Sequence, residues 1–173
     1  MASPILDDPN FRRTVVLMLE HSDEGALGVV LNRPTELTVR NALPHAMAQA
    51  LPDEALVYEG GPVEVEAVII LADFTRPERA ASLAFDSVGV VDPESDPTDL
   101  AAAVRAIRAF GGYAGWAPGQ LEAELGEEAW IVSGPDAGDV FTAEPDRLWS
   151  RVLDRMGGAF RLVARMPDDP RMN

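Results

Sequence analysis

Two apolar runs separated by a short polar segment constrain the fold of this chain more than any other feature. The first run, TVVLMLE, covers Thr14–Glu20, and the second, ALGVVLN, covers Ala26–Asn32. Both are rich in β-branched and aliphatic residues, and the segment His21–Gly25 has the composition of a turn. The pattern predicts a β-hairpin whose strands are covered on both faces, because each run is nearly continuous in apolar residues. Asn32-Arg33-Pro34 predicts the end of the second strand, since proline cannot continue a ladder.

The rest of the chain mixes strand and helix patterns without strict alternation. Strands are predicted on both sides of a Gly-Gly-Pro turn within Leu56–Phe74, and at Ser87–Val91, Gly111–Trp116, Trp130–Ser133 and Phe160–Met166. Helices are predicted for Val39–Leu51 (broken by Pro44), from Asp96 or Thr98 through Phe110, for Pro118–Leu125 and for Pro145–Met156. The longest of these helices rests on the helical spacing of Leu100, Val104, Ile107 and Phe110.

These elements predict the fold class α+β (α/β mixed), with one compact domain built on a mixed sheet. The chain has 173 residues, about the length of one domain, and no segment resembles a linker. We expect the domain to cover residues 1–166, followed by a polar C-terminal tail over residues 167–173.

The charge balance excludes several classes of function. Twenty-nine acidic residues against fourteen basic ones give a net charge of −15, and every basic residue is an arginine. Chemistry that requires a lysine, such as a P-loop or a Schiff base, is therefore excluded. The chain also has no cysteine, which excludes any cysteine-based site. A negative chain repels nucleic-acid phosphates unless its arginines cluster. With no membrane-spanning run and no signal-peptide pattern, we expect a cytoplasmic protein.

The stretch FGGYAGWAPGQLEAELGEEAW, residues 110–130, combines glycines, aromatic residues and glutamates. One interpretation is a tight structural junction that ends in a short helix. The other is a ligand pocket, with Tyr113 and Trp116 as apolar walls and Gln120 and Glu124 as polar groups that reach in. The adjoining glutamates favour a neutral or cationic ligand over an anion.

Three further groups are candidates for function. Arg33 ends an apolar strand and could bind a carboxylate or phosphate, although we favour an internal ion pair with Asp8 or Glu59. His21 lies among acidic residues, but its spacing matches no metal motif, so no metal and no cofactor are predicted. A basic stripe on the last predicted helix could contact a partner, or could be a solvated face of the acidic body. Its members are Arg147, Arg151 and Arg155.

Several motifs together resemble the AlgH/YqgE family of bacterial proteins, over about residues 1 to 165. The matching positions are Asp8, Asn10, Phe11, His21, Gly25–Gly28, Asn32–Pro34, Gly60–Val63 and Gly112–Glu122. The resemblance implies a compact fold with a branched mixed sheet flanked by helices, in a family commonly labelled as transcriptional regulators. Many members carry a histidine where this chain has Ala72-Asp73, so a role for that histidine does not carry over.

Two hypotheses about function follow. The first is a non-enzymatic regulatory or interaction protein that acts through protein contacts, since no catalytic signature is present. The alternative is a small-molecule-binding protein or an enzyme whose pocket joins the early hairpin to the GYAGW segment. Its site residues would be His21, Asn32, Arg33, Gly60, Gly61, Tyr113, Trp116, Gln120 and Glu124. Direct DNA binding and a membrane location are not expected under either hypothesis.

Overall fold

A strand of 13 residues, β8 (Val104–Trp116), forms the centre of the fold. The structure is a computed structural model that describes residues 1–43, 45–52 and 54–166. Strand β5 (Val63–Phe74) pairs antiparallel with one edge of β8. The other edge is shared, because β4 (Leu56–Glu59) runs parallel to its middle residues and β2 (Gly25–Val30) antiparallel to its last residues. The sheet is therefore branched and mixed, and the predicted fold class is confirmed.

The remaining strands extend this sheet on both sides. Strand β1 (Val16–Ser22) pairs with β2, and β3 (Pro34–Thr38) pairs with β4, both antiparallel. On the far side, β7 (Val88–Val90) pairs with β5, and β6 (Ser82–Phe85) with β7. The order is β1-β2-β8-β5-β7-β6, with β3 and β4 on the branch. The sequence analysis did not predict β3 or β6, which are short and lie at edges of the sheet.

The first hairpin has the predicted position, and its turn is tighter than predicted. Residues Asp23 and Glu24 form the turn, so His21 and Ser22 belong to β1. Both faces of the hairpin are covered. Leu17 packs into the main core, while its neighbours Val16 and Met18 pack into a separate aromatic cluster.

Two glycines make the branch of the sheet possible. The N–H of Gly60 donates to the carbonyl of Gly111 at 2.7 Å, and its own carbonyl accepts from Val30 at 2.8 Å. Strands β2 and β4 thus meet β8 at this point. A Cβ built on Gly61 would overlap the backbone carbonyl of Tyr113. The Gly-Gly pair is therefore required by a close approach of two backbones.

The predicted helix from Asp96 through Phe110 is wrong over its second half. Asp96 caps helix α3 (Pro97–Ala103) by accepting from two backbone N–H groups, as the prediction of a helix start there implies. The helix ends at Ala103, and β8 begins at once. Val104 and Ile107 are β-branched and favour a strand. Pairing of the segment on both edges outweighs a spacing that also fits a helix.

Arg108 shows why the helical spacing of apolar residues gave a wrong prediction for this segment. On a helix it would leave the apolar face, but on the strand it points toward the main core and is half-buried. Its guanidinium lies 4.2 Å from the ring centroid of Tyr58 and donates at 2.7 Å to the carbonyls of both Val140 and Thr142. Burial lowers the pKa of Arg108, and the three contacts compensate the cation for lost water.

The helices cover the faces and ends of the sheet. The segment Val39–Leu51, predicted as one broken helix, contains two short helices, α1 (Val39–Ala42) and α2 (His45–Ala48). Pro44, predicted to break it, and the predicted tail at residues 167–173 lie outside the described residues. The others are α4 (Gln120–Gly126), α5 (Ala137–Val140), α6 (Leu148–Met156) and α7 (Phe160–Val163). No helix within these described ranges is long and apolar enough to cross a membrane.

Two predicted strands are wrong. The segment Trp130–Ser133 makes only an isolated bridge, between Trp130 and Ala2. The flanking hydrogen bonds join Ser3 to Ala129 and Ile131 to Met1, and no strand follows within Ile131–Ser133. The segment Phe160–Met166 begins with helix α7. Phe160 and Val163, three residues apart, both pack against the main core, as one face of a helix does.

Candidate binding site

Three strands bring the early hairpin and the GYAGW segment together. His21 on β1 pairs with Ala26 on β2, and Ala26 pairs with Trp116 on β8. The ladder between β1 and β2 shifts register between Met18 and Glu20. Because such a bulge changes which side chain faces which side, His21 rather than Glu20 joins Met18 on the face that Trp116 occupies. His21 and Trp116 therefore line the same cavity.

An aromatic cluster forms the base of this region. The ring centroids of Trp116 and Trp130 are 5.7 Å apart in an edge-on arrangement. Phe11 stacks on Trp116 at 6.3 Å and meets Trp130 edge-on at 5.5 Å. Such offset and edge-on pairs are favourable beyond the area they bury. The Asp-x-Asn-Phe and GYAGW motifs are thus joined in space through Phe11.

Glu124 fixes the two indole rings. Its Oε2 accepts from Nε1 of Trp116 at 2.9 Å and from Nε1 of Trp130 at 2.7 Å, and its Oε1 accepts from Nε2 of Gln120 at 3.0 Å. Partial burial raises the pKa of Glu124, but the bonds from Trp130, Trp116 and Gln120 together leave it below its usual value. The carboxylate is therefore charged at neutral pH and wholly engaged within the protein.

A second glutamate of helix α4 reaches the hairpin. Oε1 of Glu122 lies 2.5 Å from Nε2 of His21, and both side chains are about half exposed. The hydrogen bond with His21 is the main cause that lowers the pKa of Glu122. This contact ties the end of β1 to helix α4 across the opening of the region.

Between these groups lies a cavity of about 320 Å³. Its wall is mostly apolar, and helix α4 contributes Leu121 and Leu125, which stand one turn apart. The other lining side chains are Met1, Val16, Met18, His21, Trp116, Trp130, Ile131, Val132 and Ser133. A volume of this size is at the lower end of the range for small-molecule sites. We call it the aromatic cavity.

The structure places four of the predicted site residues at or around the aromatic cavity. His21 and Trp116 line it, Glu124 holds the Trp116 ring, and Gln120 binds Glu124 while its Oε1 accepts from the N–H of Ala117 at 3.0 Å. Gln120 is exposed and supports the start of α4 rather than reaching into the space.

The other predicted site residues lie elsewhere. Tyr113 packs with the main core, on the opposite face of β8 from Trp116, and its pKa is raised by desolvation and by the neighbouring Glu64. Gly60 and Gly61 form the branch of the sheet.

Asn32 and Arg33 line a different groove from the aromatic cavity. Asn32 accepts from the N–H of Val15 at 2.9 Å and donates to the carbonyl of Arg13 at 2.9 Å, which fixes the chain after β2. Within the described residues, Arg33 does not form the predicted ion pair with Asp8 or Glu59. Arg33 donates instead to backbone carbonyls, because the loop before β1 offers them.

The predicted basic stripe is largely engaged within the protein. Arg155 binds the carboxylate of Asp139 through two hydrogen bonds at 3.0 and 2.5 Å, and Arg151 binds it at 3.2 Å. Asp139 is buried, and its hydrogen bonds are the main cause that raises the pKa of Arg155. Arg147 is exposed and lies 3.7 Å from Glu144. Two arginines of the stripe therefore bind the buried Asp139 and stabilise the fold there, while Arg147 lies at the exposed end.

Sequence reasoning missed Phe11, Glu122 and Trp130 as members of the site. Phe11 is far from Trp116 in sequence, and although Trp130 belongs to the same 110–130 stretch, no local pattern links the three rings. Glu122 belongs to the acidic helix in that stretch, but its partner His21 is 101 positions away. The pairing of β1, β2 and β8 brings His21 to Trp116, and packing of the loop before β1 and of the segment after α4 adds Phe11 and Trp130.

Comparisons with known proteins agree with this architecture. The family model described as DUF179, AlgH-like, matches residues 1–161. A UPF0301 protein of Streptomyces coelicolor is 46% identical over all of this chain and 92% of its own length, and one of Thermobifida fusca is 44% identical over the same shares. Among solved structures, the AlgH protein of Pseudomonas aeruginosa is 30% identical, with a TM-score of 0.71 over 96% of this chain and 91% of its own. A crystal structure of a Corynebacterium diphtheriae protein is 26% identical, with a TM-score of 0.87 over 96% and 89%.

Proposed function

This chain belongs to the AlgH-like family, as its motifs predicted, and on that premise we propose that it is a non-enzymatic binding protein. Its ligand would be a small, mostly apolar molecule held in the aromatic cavity. The observation that carries the proposal is the cavity itself, which lies where the two most distinctive motifs of the chain meet. Any regulatory role would then be exerted through this ligand and through protein contacts.

The chemistry of the wall supports an apolar ligand. The indole N–H groups of Trp116 and Trp130 both donate to Glu124, so neither remains to bind a polar group. The wall therefore offers carbon surface, with the imidazole of His21 at its edge. Burying apolar area of a ligand against such a surface is favourable by about 25 cal/mol per Å².

The surrounding charge supports a neutral or cationic ligand. Glu122 and Glu124 both lie beside the cavity, and their pKa values are lowered, so both are negative at neutral pH. The chain as a whole carries −15. An anion entering here would meet like charge, whereas a cation would be attracted.

A binding role is favoured over catalysis because the titratable groups of the site are paired with one another. Glu122 is bound to His21, and Glu124 to three donors of the protein. A general acid or base works best with a pKa near the operating pH, and both glutamates are shifted away from it. The net charge of −15 argues against direct DNA regulation. Two arginines of the basic stripe, Arg151 and Arg155, are already bound to Asp139.

Three probes that share an indole ring test the proposed ligand class: indole, tryptamine and indole-3-acetate, which are neutral, cationic and anionic. We expect indole and tryptamine to raise the thermal unfolding midpoint, and indole-3-acetate to raise it least. At about 100 times its Kd, a ligand stabilises a domain of this size by roughly 5–10 °C. The absence of a shift with both indole and tryptamine would contradict the proposal.

A pair of matched substitutions locates the binding. Leu121→Phe fills part of the cavity, whereas Leu162→Phe makes the same change at a side chain that is 74% exposed on α7. We expect the response to the probes to be lost in the first variant and kept in the second. A response that survives Leu121→Phe at full strength would place the binding outside the aromatic cavity.

A further inference from the structure

A second site is suggested by a groove of about 660 Å³ on another part of the surface. It lies between the loop before β1, the segment after β2 and the start of α6. Its lining includes Arg12, Arg13, Asn32, Arg33, Asp146 and Trp149. It shares no lining residue with the aromatic cavity. We call it the arginine groove.

The guanidinium of Arg33 is held through one of its nitrogens, Nη2. Its Nη2 donates to the carbonyl of Arg12 at 3.0 Å, with a longer contact of 3.5 Å to that of Pro9. Both acceptors are neutral, and no carboxylate of the described residues lies within ion-pair distance of this guanidinium. The side chain is half-buried, so its orientation is restricted while most of its charge remains uncompensated. A guanidinium held in this way binds an oxyanion with little loss of side-chain entropy.

Two neighbouring arginines also line the groove. Arg13 lies over the ring of Trp149, 4.7 Å from its centroid, and donates to the carbonyl of Met166, so it is engaged within the protein. Arg12 is exposed at the rim of the groove. Among the described lining residues Asp146 is the one carboxylate, and Arg12 and Arg33 outnumber it. This local positive charge occurs in a chain whose net charge is −15.

The neutral polar side chains of Asn32 and Ser150 are already bonded. Both ends of the Asn32 amide bind backbone groups, and the hydroxyl of Ser150 donates to the carbonyl of Arg147 at 3.0 Å. Recognition in the groove therefore depends on the guanidinium groups. Planar guanidinium forks match the oxygen pairs of carboxylates and phosphates.

We infer that the arginine groove binds a small oxyanion, a phosphate or carboxylate group of a small molecule, through Arg12 and Arg33. A long polyanion such as DNA is disfavoured, because it would extend beyond the groove over an acidic surface. This site is independent of the aromatic cavity, which favours neutral or cationic molecules.

Calorimetric titration with pyrophosphate and with citrate tests the inference and separates the two sources of oxyanion. We expect saturable binding of at least one, weakened about tenfold or more by Arg12→Ala and by Arg33→Ala, since a hydrogen bond to a charged group is lost. Asp146→Asn removes the opposing carboxylate and should tighten binding several-fold. Arg161→Ala, which removes an exposed arginine outside the groove, should leave it unchanged.

Arg33→Lys keeps the charge and guards against a folding defect, because Arg33 also supports the loop before β1. We expect it to fold as the wild type does and to bind more weakly, since an ammonium group cannot form the paired contacts. Equal binding in the wild type, Arg12→Ala and Arg33→Ala would overturn the inference. So would retention of a DNA duplex without any response to pyrophosphate or citrate.

Discussion

At the scale of single residues, Glu124 links the parts of the site. One carboxylate accepts from two indole rings and one amide, so it orients both walls of the aromatic cavity and the first turn of α4. Such charge-assisted bonds are stronger than neutral ones. Charge at this position is therefore structural, and it also sets the electrostatic character of the site.

Glu124→Gln tests this role without changing the size of the side chain. The amide has one acceptor oxygen in place of two, so at least one of the three donors loses its partner. We expect a loss of about 1–2 kcal/mol in the free energy of unfolding, and about 3 kcal/mol for Glu124→Ala. Chemical denaturation measures both values. Glu127→Gln, at an exposed position just after α4, is the control and should change little.

Asp139 has a comparable role on the other side of the molecule. Its side chain is 8% exposed and binds Arg151 and Arg155, each of which is about two-fifths exposed. Removing one partner of a fully buried pair costs about 3–5 kcal/mol, and solvent reduces this here, so we expect about 2 kcal/mol for Asp139→Asn. Asp154→Asn, at an exposed position of α6, serves as the reference. Equal stabilities of the two variants in urea would contradict this role of Asp139.

At the scale of elements, the sequence predicted the hairpin because its two apolar runs and its polar turn are local features. The hypothesis of a shared pocket also assumed that the hairpin and the GYAGW segment are neighbours, and β2 does pair with the end of β8. It did not predict the path of β8, since Val104–Phe110 fits helical spacing and only pairing with β4 and β5 selects a strand. The contacts of Phe11 and Trp130 with Trp116 depend on how the loop before β1 and the segment after α4 pack on β8, so no local pattern could reveal them.

The branch of the sheet can be tested at Gly61. Its φ is 153°, and an added Cβ would overlap the backbone of Tyr113, so Gly61→Ala must displace β5 or β8. We expect a loss of roughly 3 kcal/mol or more, or failure to fold. Gly126→Ala, at the end of α4 where an added Cβ meets open space, should be neutral or stabilise by up to about 1 kcal/mol. A well-folded Gly61→Ala variant as stable as Gly126→Ala would contradict this reading of the branch.

At the scale of the whole molecule, the lowered pKa values of Glu122 and Glu124 predict a pH dependence of stability. Each group binds a proton less readily in the folded state than in the unfolded state. Its contribution is therefore complete above the unfolded pKa of about 4.3 and is lost as the pH falls through the lower folded pKa. The difference in unfolding free energy between the wild type and the Glu124→Gln variant, whose three donors are all neutral, should be constant from pH 7 to about 5 and shrink below about 4. A difference that grows on acidification would contradict the sign of the Glu124 shift.

The whole molecule thus separates two regions of opposite electrostatic character. The aromatic cavity lies beside the carboxylates of Glu122 and Glu124, and the arginine groove presents Arg12 and Arg33 beside one aspartate. Each region contains indole rings that the other lacks: Trp116 and Trp130 in the first, and Trp149 in the second. The three indole N–H signals therefore report on the two sites separately.

The most direct test of ligand binding in the aromatic cavity is an NMR titration of the ¹⁵N-labelled full chain with tryptamine, following the three indole N–H signals. Occupation of the aromatic cavity should move the signals of Trp116 and Trp130 together, along one saturable curve, while the signal of Trp149 stays in place. Movement of Trp149 alone, or unchanged positions for Trp116 and Trp130 at saturating tryptamine, would contradict the account.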